Sequence, residues 1–225
     1  MSSKDRLYKY TKLEYVRSML NNGIFASTID KMNDPYEYKD IENPQNFRII
    51  SLTRSANAKL MWSHYADNHR GCSVQIELPE GYGSDDFILK RVTYSSKYSR
   101  KEAMTDGEIV SNLYIKDKKW SNEIEVRAVY NDNNYDDTYW NFVDGNVYFK
   151  ARIKAINFGC MINTESDEYE RLLMSIDTYN NINKNNKIEV KKYKMDNNKF
   201  RFILDNEYKY EKELLRLKSK ETIES

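Results

Sequence analysis

The spacing of apolar residues divides the chain into segments of helical period and segments that alternate as strands do. In the first helical segment, Leu13, Val16 and Leu20 fall on one stripe and Gly23 supplies a stop. Such patterns predict helices at 11–23, 56–68, 99–118, 164–181 and 206–220. Alternating or continuous apolar runs predict strands at 7–10, 24–27, 47–53, 72–78, 87–94, 122–130, 148–159 (a strand pair or one bent strand), 187–193 and 200–204.

The alternating strands and the scarcity of strand–helix–strand spacing predict an α+β fold. We expect two small, mostly antiparallel sheets around a cleft, with flanking helices and a charged C-terminal helix near 206–220. The strands at 7–10, 47–53 and 122–130 should be central. Since neither an internal repeat nor a linker is visible, residues 1–225 are interpreted as a single domain.

An aromatic stripe marks the predicted helix at 56–68. Met61, Trp62 and Tyr65 share one face of this helix, so the simplest interpretation is that Trp62 packs into the core. His64 lies off the stripe, which is compatible with the edge of a cleft or with solvent. The helix could therefore serve packing, chemistry or both.

A pair of carboxylates marks the predicted strand at 122–130. Period-two geometry places Glu123 and Glu125 on one face, where their repulsion calls for solvent, a cation or a polar ligand. The alternative is a solvated outer strand in which Arg127 pairs with them. Further upstream, Asn-Asp-Pro forms a turn just before Glu37, whose spacing allows either a cleft or water as its surroundings.

Composition narrows the class of protein. The 36 Lys and Arg residues nearly balance 35 Asp and Glu, which argues against nucleic-acid binding driven by net charge. The cysteines, Cys72 and Cys160, are too few for a disulfide framework or a zinc site. The N-terminus lacks an apolar signal segment and no window is long enough to span a membrane, so a cytoplasmic location is expected.

Several short motifs together resemble a bacterial family of domains of unknown function. Its marks are an early Tyr-Lys-Tyr strand, an NDPxE turn, MWxHYAxxHxG and WxxExE. This chain carries the corresponding stretches "LYKYT" (7–11), "NDPYE" (33–37), "MWSHYADNHRG" (61–71) and "WSNEIEVR" (120–127).

The opening strand, helix and glycine also resemble the start of ADP-ribosyltransferase-type domains, including the DarT-like toxins. That resemblance implies an ADP-ribosyltransferase-like fold, NAD as substrate, and a final strand with a catalytic glutamate in an ExE motif. The implied catalytic residues are Glu125, Glu123 and His64. The implied substrate-binding residues are Lys9, Tyr10, Thr11, Ser51, Thr53, Tyr65 and Glu37. The first motif departs from the family, which has His or Arg where this chain has Lys9 or Tyr10. In the middle motif, which corresponds to "SLT" (51–53) in this chain, Leu52 stands where the family has a threonine.

Three functions follow as expectations. The first is an ADP-ribosyltransferase that modifies nucleic acid or protein, as a toxin or phage-defence effector. The second is a catalytically silent, nucleotide-binding sensor of the same fold. The third is a metal-dependent nuclease or nucleic-acid-binding module. It would use the acidic pair, with Glu37 as a third carboxylate, and the basic run at 191–194.

Overall fold

The computed structural model describes residues 6–78, 89–98, 104–132 and 138–224. The helices are α1 (Leu13–Asn22), α2 (Lys59–Tyr65), α3 (Asp106–Asn112), α4 (Asp167–Ile182) and α5 (Tyr210–Glu224). The strands are β1 (Leu7–Thr11), β2 (Ile24–Phe25), β3 (Ser27–Thr28), β4 (Phe47–Thr53), β5 (Cys72–Glu77), β6 (Leu89–Arg91), β7 (Thr93–Ser95), β8 (Ile115–Asp117), β9 (Glu125–Asn131), β10 (Trp140–Val143), β11 (Asn146–Phe149), β12 (Arg152–Phe158), β13 (Glu189–Met195) and β14 (Phe202–Leu204). Short 3₁₀ turns occupy Ile29–Lys31, Pro35–Glu37, Pro44–Asn46 and Lys118–Glu123.

The chain forms two compact units, and each is built from separate segments. The first unit comprises Met1–Asn21, Ala56–Glu77 and Arg152–Ser225. The second unit comprises Asn22–Ser55 and Leu78–Ala151.

In the first unit, five strands lie in the order β14–β13–β12–β5–β1. The pairs are antiparallel except β12–β13, which is parallel. An aromatic core joins α2 to the sheet: Trp62 is 1% exposed, and its ring meets those of Tyr10 and Tyr193 edge-on at 5.0 and 5.6 Å. Met61 and Tyr65 pack against this cluster. The prediction that the stripe of α2 faces the core is confirmed.

In the second unit, β4 and β9 pair along their whole lengths, and β3 and β6 extend them on either side. A second set of strands runs β10–β11–β2, and a third is the parallel pair β7–β8. The apolar faces of β4, β9 and α3 share one buried cluster, of which Phe47, Ile49, Ile109, Leu113 and Val129 are members.

Two predicted elements are shorter than expected because the backbone turns left-handed. The helix predicted to reach residue 68 ends at Tyr65, since Asp67, Asn68 and His69 all have positive φ. The strand predicted at 122–130 begins at Glu125, since Ile124 has a φ of 47°.

Other boundaries also differ from the predictions. Instead of a helix over 99–118 the structure has α3, followed by β8; residues 99–103 lie outside the described part. The cap of α4 is Ser166, whose side chain accepts from the Tyr169 amide. The terminal helix begins at Tyr210, four residues later than expected.

The architecture is mixed α+β and mostly antiparallel, as predicted. The expectation of two small sheets is wrong, because the second unit alone contains three sets of paired strands. Short strands such as β7 and β8 are too brief to show a period in the sequence. Within the described ranges, every helix is too short or too polar to traverse a bilayer.

Candidate functional site

A cluster of buried charges forms where separate segments of the second unit meet. We call it the charged cluster. It consists of Glu37, Lys116, Glu123, Glu125 and Arg127. The turn Pro35–Glu37, β8 with its following 3₁₀ turn, and β9 supply these side chains. Burying this many ionisable groups is costly unless each is paired and hydrogen-bonded.

Arg127 is the centre of the cluster and is 0% exposed. Its Nε donates to Oε1 of Glu125 at 2.6 Å and its Nη2 donates to Oε2 of the same carboxylate at 3.0 Å. Nη1 donates to the Leu113 carbonyl at 2.6 Å, and Nη2 also donates to Glu37. The planar guanidinium therefore fixes two carboxylates and one carbonyl at once, which a lysine could not do.

Lys116 bridges the same carboxylates from the other side. Its Nζ lies 2.7 Å from Glu123 Oε2, 3.2 Å from Glu125 Oε2 and 3.9 Å from Glu37 Oε2. The ammonium also lies 4.9 Å from the centroid of the Trp120 ring, within cation–π range. The three carboxylates thus converge on one buried cation.

The cluster separates the pKa values of its carboxyl groups. Burial raises the pKa of Glu125, but Arg127, Lys116 and a hydrogen bond from Ser51 outweigh burial and hold it at about 2. For Glu37, burial outweighs Arg127 and Lys116, and its pKa is raised above the ordinary value. Burial alone would lower the pKa of Lys116, yet the carboxylates, Glu125 first, raise it. Glu125 is accordingly ionised at any physiological pH.

Further hydrogen bonds fix the segments that carry the cluster. Thr53 Oγ1 donates to the Glu123 carbonyl at 2.7 Å, and the Glu125 amide donates to Tyr94 Oη at 2.8 Å. Trp120 Nε1 donates to Asp34 Oδ2 at 3.1 Å. The tryptophan of the "WSNEIEVR" motif is therefore tied to the "NDPYE" turn.

Between the two acidic residues, Ile124 adopts a strained conformation. Its φ is 47° and its ψ is 49°, and its side chain is 53% exposed. A β-branched residue in the left-handed region costs about 1–3 kcal/mol and persists only where the surroundings impose it. Here the strain lets both Glu123 and Glu125 reach Lys116 although they belong to different elements.

An exposed patch of rings adjoins the cluster through the same turn. We call Tyr36, Lys39 and Tyr98 the aromatic surface. The two rings lie 5.4 Å apart, edge to face, and Lys39 Nζ lies 5.8 Å from each centroid. The Tyr36 amide donates to Asp34 Oδ1 at 3.0 Å, while Asp34 Oδ2 accepts from Trp120. The aromatic surface is therefore linked to the charged cluster through Asp34 and Trp120, whose ring lies against Lys116.

Half of the residues expected in a site come together in the second unit. Glu37, Glu123 and Glu125 are in the charged cluster, Ser51 bonds to Glu125, and Thr53 bonds to the Glu123 backbone. The prediction that both acidic residues share one face of one strand is wrong, because Glu123 precedes β9. The alternative of a solvated outer strand is also wrong, because every residue of β9 is buried.

The remaining expected residues belong to the first unit. Tyr10 is a core residue whose hydroxyl accepts from the Ala58 amide at 3.1 Å, and burial raises its pKa. Thr11 is buried at the end of β1 and Lys9 is half-buried beside it. Tyr65 packs on the aromatic core, whereas His64 is exposed, with ring centres 6.2 Å apart. Their roles toward a substrate stay predictions.

Sequence reasoning missed several members of the site. Arg127 was expected as a partner on a solvated face, and its burial follows from packing that period-two alternation does not encode. The sequence does not predict that Lys116 is buried, because the pattern of its segment indicates a charged helix. Trp120 and Asp34 were visible within motifs, but their contact spans 86 residues of sequence.

The three carboxylates do not form a metal site. Among the described residues, no group of three or more His, Cys, Asp or Glu side chains could hold a metal ion. Lys116 and Arg127 instead pair with the carboxylate oxygens.

Comparison with known proteins adds no relative, since no family model, curated protein or solved structure matches the chain.

Proposed function

We propose that the second unit binds NAD at the charged cluster and the aromatic surface, and that the protein is an ADP-ribosyltransferase-type enzyme. Its acceptor would be nucleic acid or protein, consistent with a toxin or phage-defence effector. The observation that carries the proposal is the convergence of "NDPYE", the end of β4 (Ser51–Thr53) and "WSNEIEVR" on one buried set of charges.

The charge of the cluster suits a cationic reaction centre. Loss of nicotinamide from NAD leaves a ribose with oxocarbenium character. The cluster contains three carboxyl groups against two basic groups, so its acidic side chains outnumber its basic ones. Preorganised charge in a water-poor setting is an effective way to stabilise such a centre. We assign this role to Glu125, whose low pKa keeps it ionised, and orientation of the acceptor to Glu123.

The aromatic surface suits the flat parts of the substrate. Exposed rings stack on heterocycles, so Tyr36 and Tyr98 would contact the nicotinamide or the adenine. Lys39 would supply a positive charge for the pyrophosphate. The strained Ile124 supports a functional role for the neighbouring acids, since strain of this kind concentrates at active sites.

One observation favours a second candidate, a silent nucleotide-binding sensor. Both carboxylate oxygens of Glu125 already accept from Arg127, and Oε2 also contacts Lys116. A carboxylate engaged in this way has less capacity to accept from a ribose hydroxyl. The sensor would bind NAD through the aromatic surface without releasing nicotinamide.

Calorimetric titration with NAD tests the binding shared by both candidates. The wild type should bind, and Tyr36→Ala or Tyr98→Ala should weaken binding about tenfold, in line with the loss of one stacked ring. Tyr15→Ala is the matched control, since Tyr15 is 54% exposed against 56% for Tyr36 but lies in the first unit. Absence of NAD binding by the wild type would refute both candidates.

A further inference from the structure

The hairpin of β13 and β14 in the first unit presents a phenylalanine to solvent. Phe200 is 98% exposed, which is unusual because contact of an apolar ring with water is unfavourable. Met195 and Leu204 on the same hairpin and Leu60 on α2 are also largely exposed. Lys59, from α2, lies with its Nζ 6.0 Å from the Phe200 centroid.

The turn end of this hairpin is held by hydrogen bonds and ring contacts. Asn57 Nδ2 donates to the Phe202 carbonyl at 2.7 Å, and the Phe202 ring packs 4.9 Å from that of His69. Asp196 closes the turn, since its amide donates to the Arg201 carbonyl and its Oδ2 accepts from Arg201 Nε at 2.6 Å. Phe200 therefore stands on an ordered turn.

Basic residues outnumber acidic ones on the hairpin that carries the exposed ring. Between residues 189 and 204 the sequence has four lysines and one arginine against two carboxylates, and three of these cations form ion pairs, Lys191, Lys194 and Arg201. Lys59 adds another cation next to Phe200. A pocket of about 340 Å³ at the base of the hairpin continues this character. Its lining includes Lys191, Lys192 and Lys209 against one carboxylate, Asp205, and it shares Leu204 with the exposed apolar group.

We propose that this hairpin binds single-stranded nucleic acid, with a base stacked on Phe200 and phosphates along the lysines toward the pocket. Exposed aromatic rings flanked by cations are the usual means of binding single strands, since every base offers a ring face. In a duplex the base faces are stacked on one another and cannot contact the ring.

A lipid surface fits less well, because insertion of the turn would bury Asp196, Asn197, Asn198 and Lys199. The inference concerns the first unit and does not rest on the proposed function.

Fluorescence anisotropy of the full chain with labelled oligothymidine tests the proposal. The wild type should bind, with an affinity that falls as salt rises. Phe200→Ala should weaken binding roughly tenfold without lowering the melting temperature, because the ring is exposed. Ile182→Ala is the matched control, since Ile182 is 75% exposed in the same unit but lies on α4.

The lysines are tested by the salt dependence. Removal of one phosphate contact should reduce the slope of log affinity against log salt by about 0.7, which we expect for Lys59→Ala. Lys184→Ala, at an exposed position after α4, should leave the slope unchanged. The proposal is overturned if the wild type binds no oligonucleotide at low salt, if Phe200→Ala binds like Ile182→Ala, or if vesicles with anionic lipid are bound in place of oligothymidine.

Discussion

Removal of the Arg127 guanidinium would expose how much the charged cluster depends on it. In Arg127→Met, a side chain of similar length replaces a guanidinium that bonds Glu125 twice, Glu37 and the Leu113 carbonyl. Glu37, Glu123 and Glu125 would then share Lys116 as their one buried cation. Breaking a buried ion pair by removal of one partner costs about 3–5 kcal/mol, and we expect a loss of unfolding free energy in that range.

The loss of unfolding free energy in Arg127→Met should depend on pH, because the folded pKa values of Glu125 and Glu37 differ from their ordinary values. In the wild type, Glu125 has a folded pKa of about 2 against an ordinary 4.5, so its contribution of about 3 kcal/mol is present above pH 4.5 and is lost as pH falls toward 2. Glu37 has a raised pKa and acts in the opposite sense, so that its contribution is lost as pH rises through that pKa. In Arg127→Met the pKa of Glu125 should rise. The destabilisation should therefore shrink between pH 7 and pH 4.

Urea denaturation at the two pH values measures both quantities. Arg48→Met is the matched control, because Arg48 forms a partly exposed pair with Asp132 at 3.3 Å in the same unit and should cost less than about 1 kcal/mol. If Arg127→Met costs no more unfolding free energy than Arg48→Met, or if its cost is the same at both pH values, then the guanidinium does not compensate the buried carboxylates.

Two further substitutions test the packing and the strain. Trp62→Ala should cost about 3–5 kcal/mol, because the ring is 1% exposed among Tyr10 and Tyr193, whereas the exposed Leu60→Ala should cost little; similar thermal melts for the two would contradict the packing. Ile124→Gly should be neutral or stabilising by about 1 kcal/mol, because glycine adopts positive φ freely, whereas Ile115→Gly in β8 should destabilise by about 1 kcal/mol. Equal losses for the two glycine variants in urea would show that Ile124 is unstrained.

Local pattern predicted the parts of the fold in which one period dominates. The runs of β4 and β5 and the Trp62 stripe are of this kind, because burial of one face leaves a regular signature. Boundaries set by backbone conformation were missed. The left-handed residues at the end of α2 and at Ile124 are ordinary amino acids whose φ depends on the surrounding contacts.

In the candidate site, too, some residues are predictable from local sequence and others depend on tertiary contacts. Motif residues such as Glu37 and Glu125 are predictable members of the site, because carboxylates at those spacings are typical catalytic or binding groups. Their convergence depends on Arg127 and Lys116, whose burial is decided by tertiary pairing rather than by propensity. A lysine in a charged stretch has no local feature that distinguishes it from its solvated neighbours.

Release of nicotinamide from NAD measures the proposed catalytic role of Glu125 most directly. Wild type and Glu125→Gln are incubated with NAD at a temperature at which circular dichroism shows both to be folded, since loss of a buried charge will also reduce stability. We expect nicotinamide release by the wild type and a rate at least about 100-fold lower for Glu125→Gln. Equal rates for the two proteins, or no release by a wild type that binds NAD, would contradict the catalytic role.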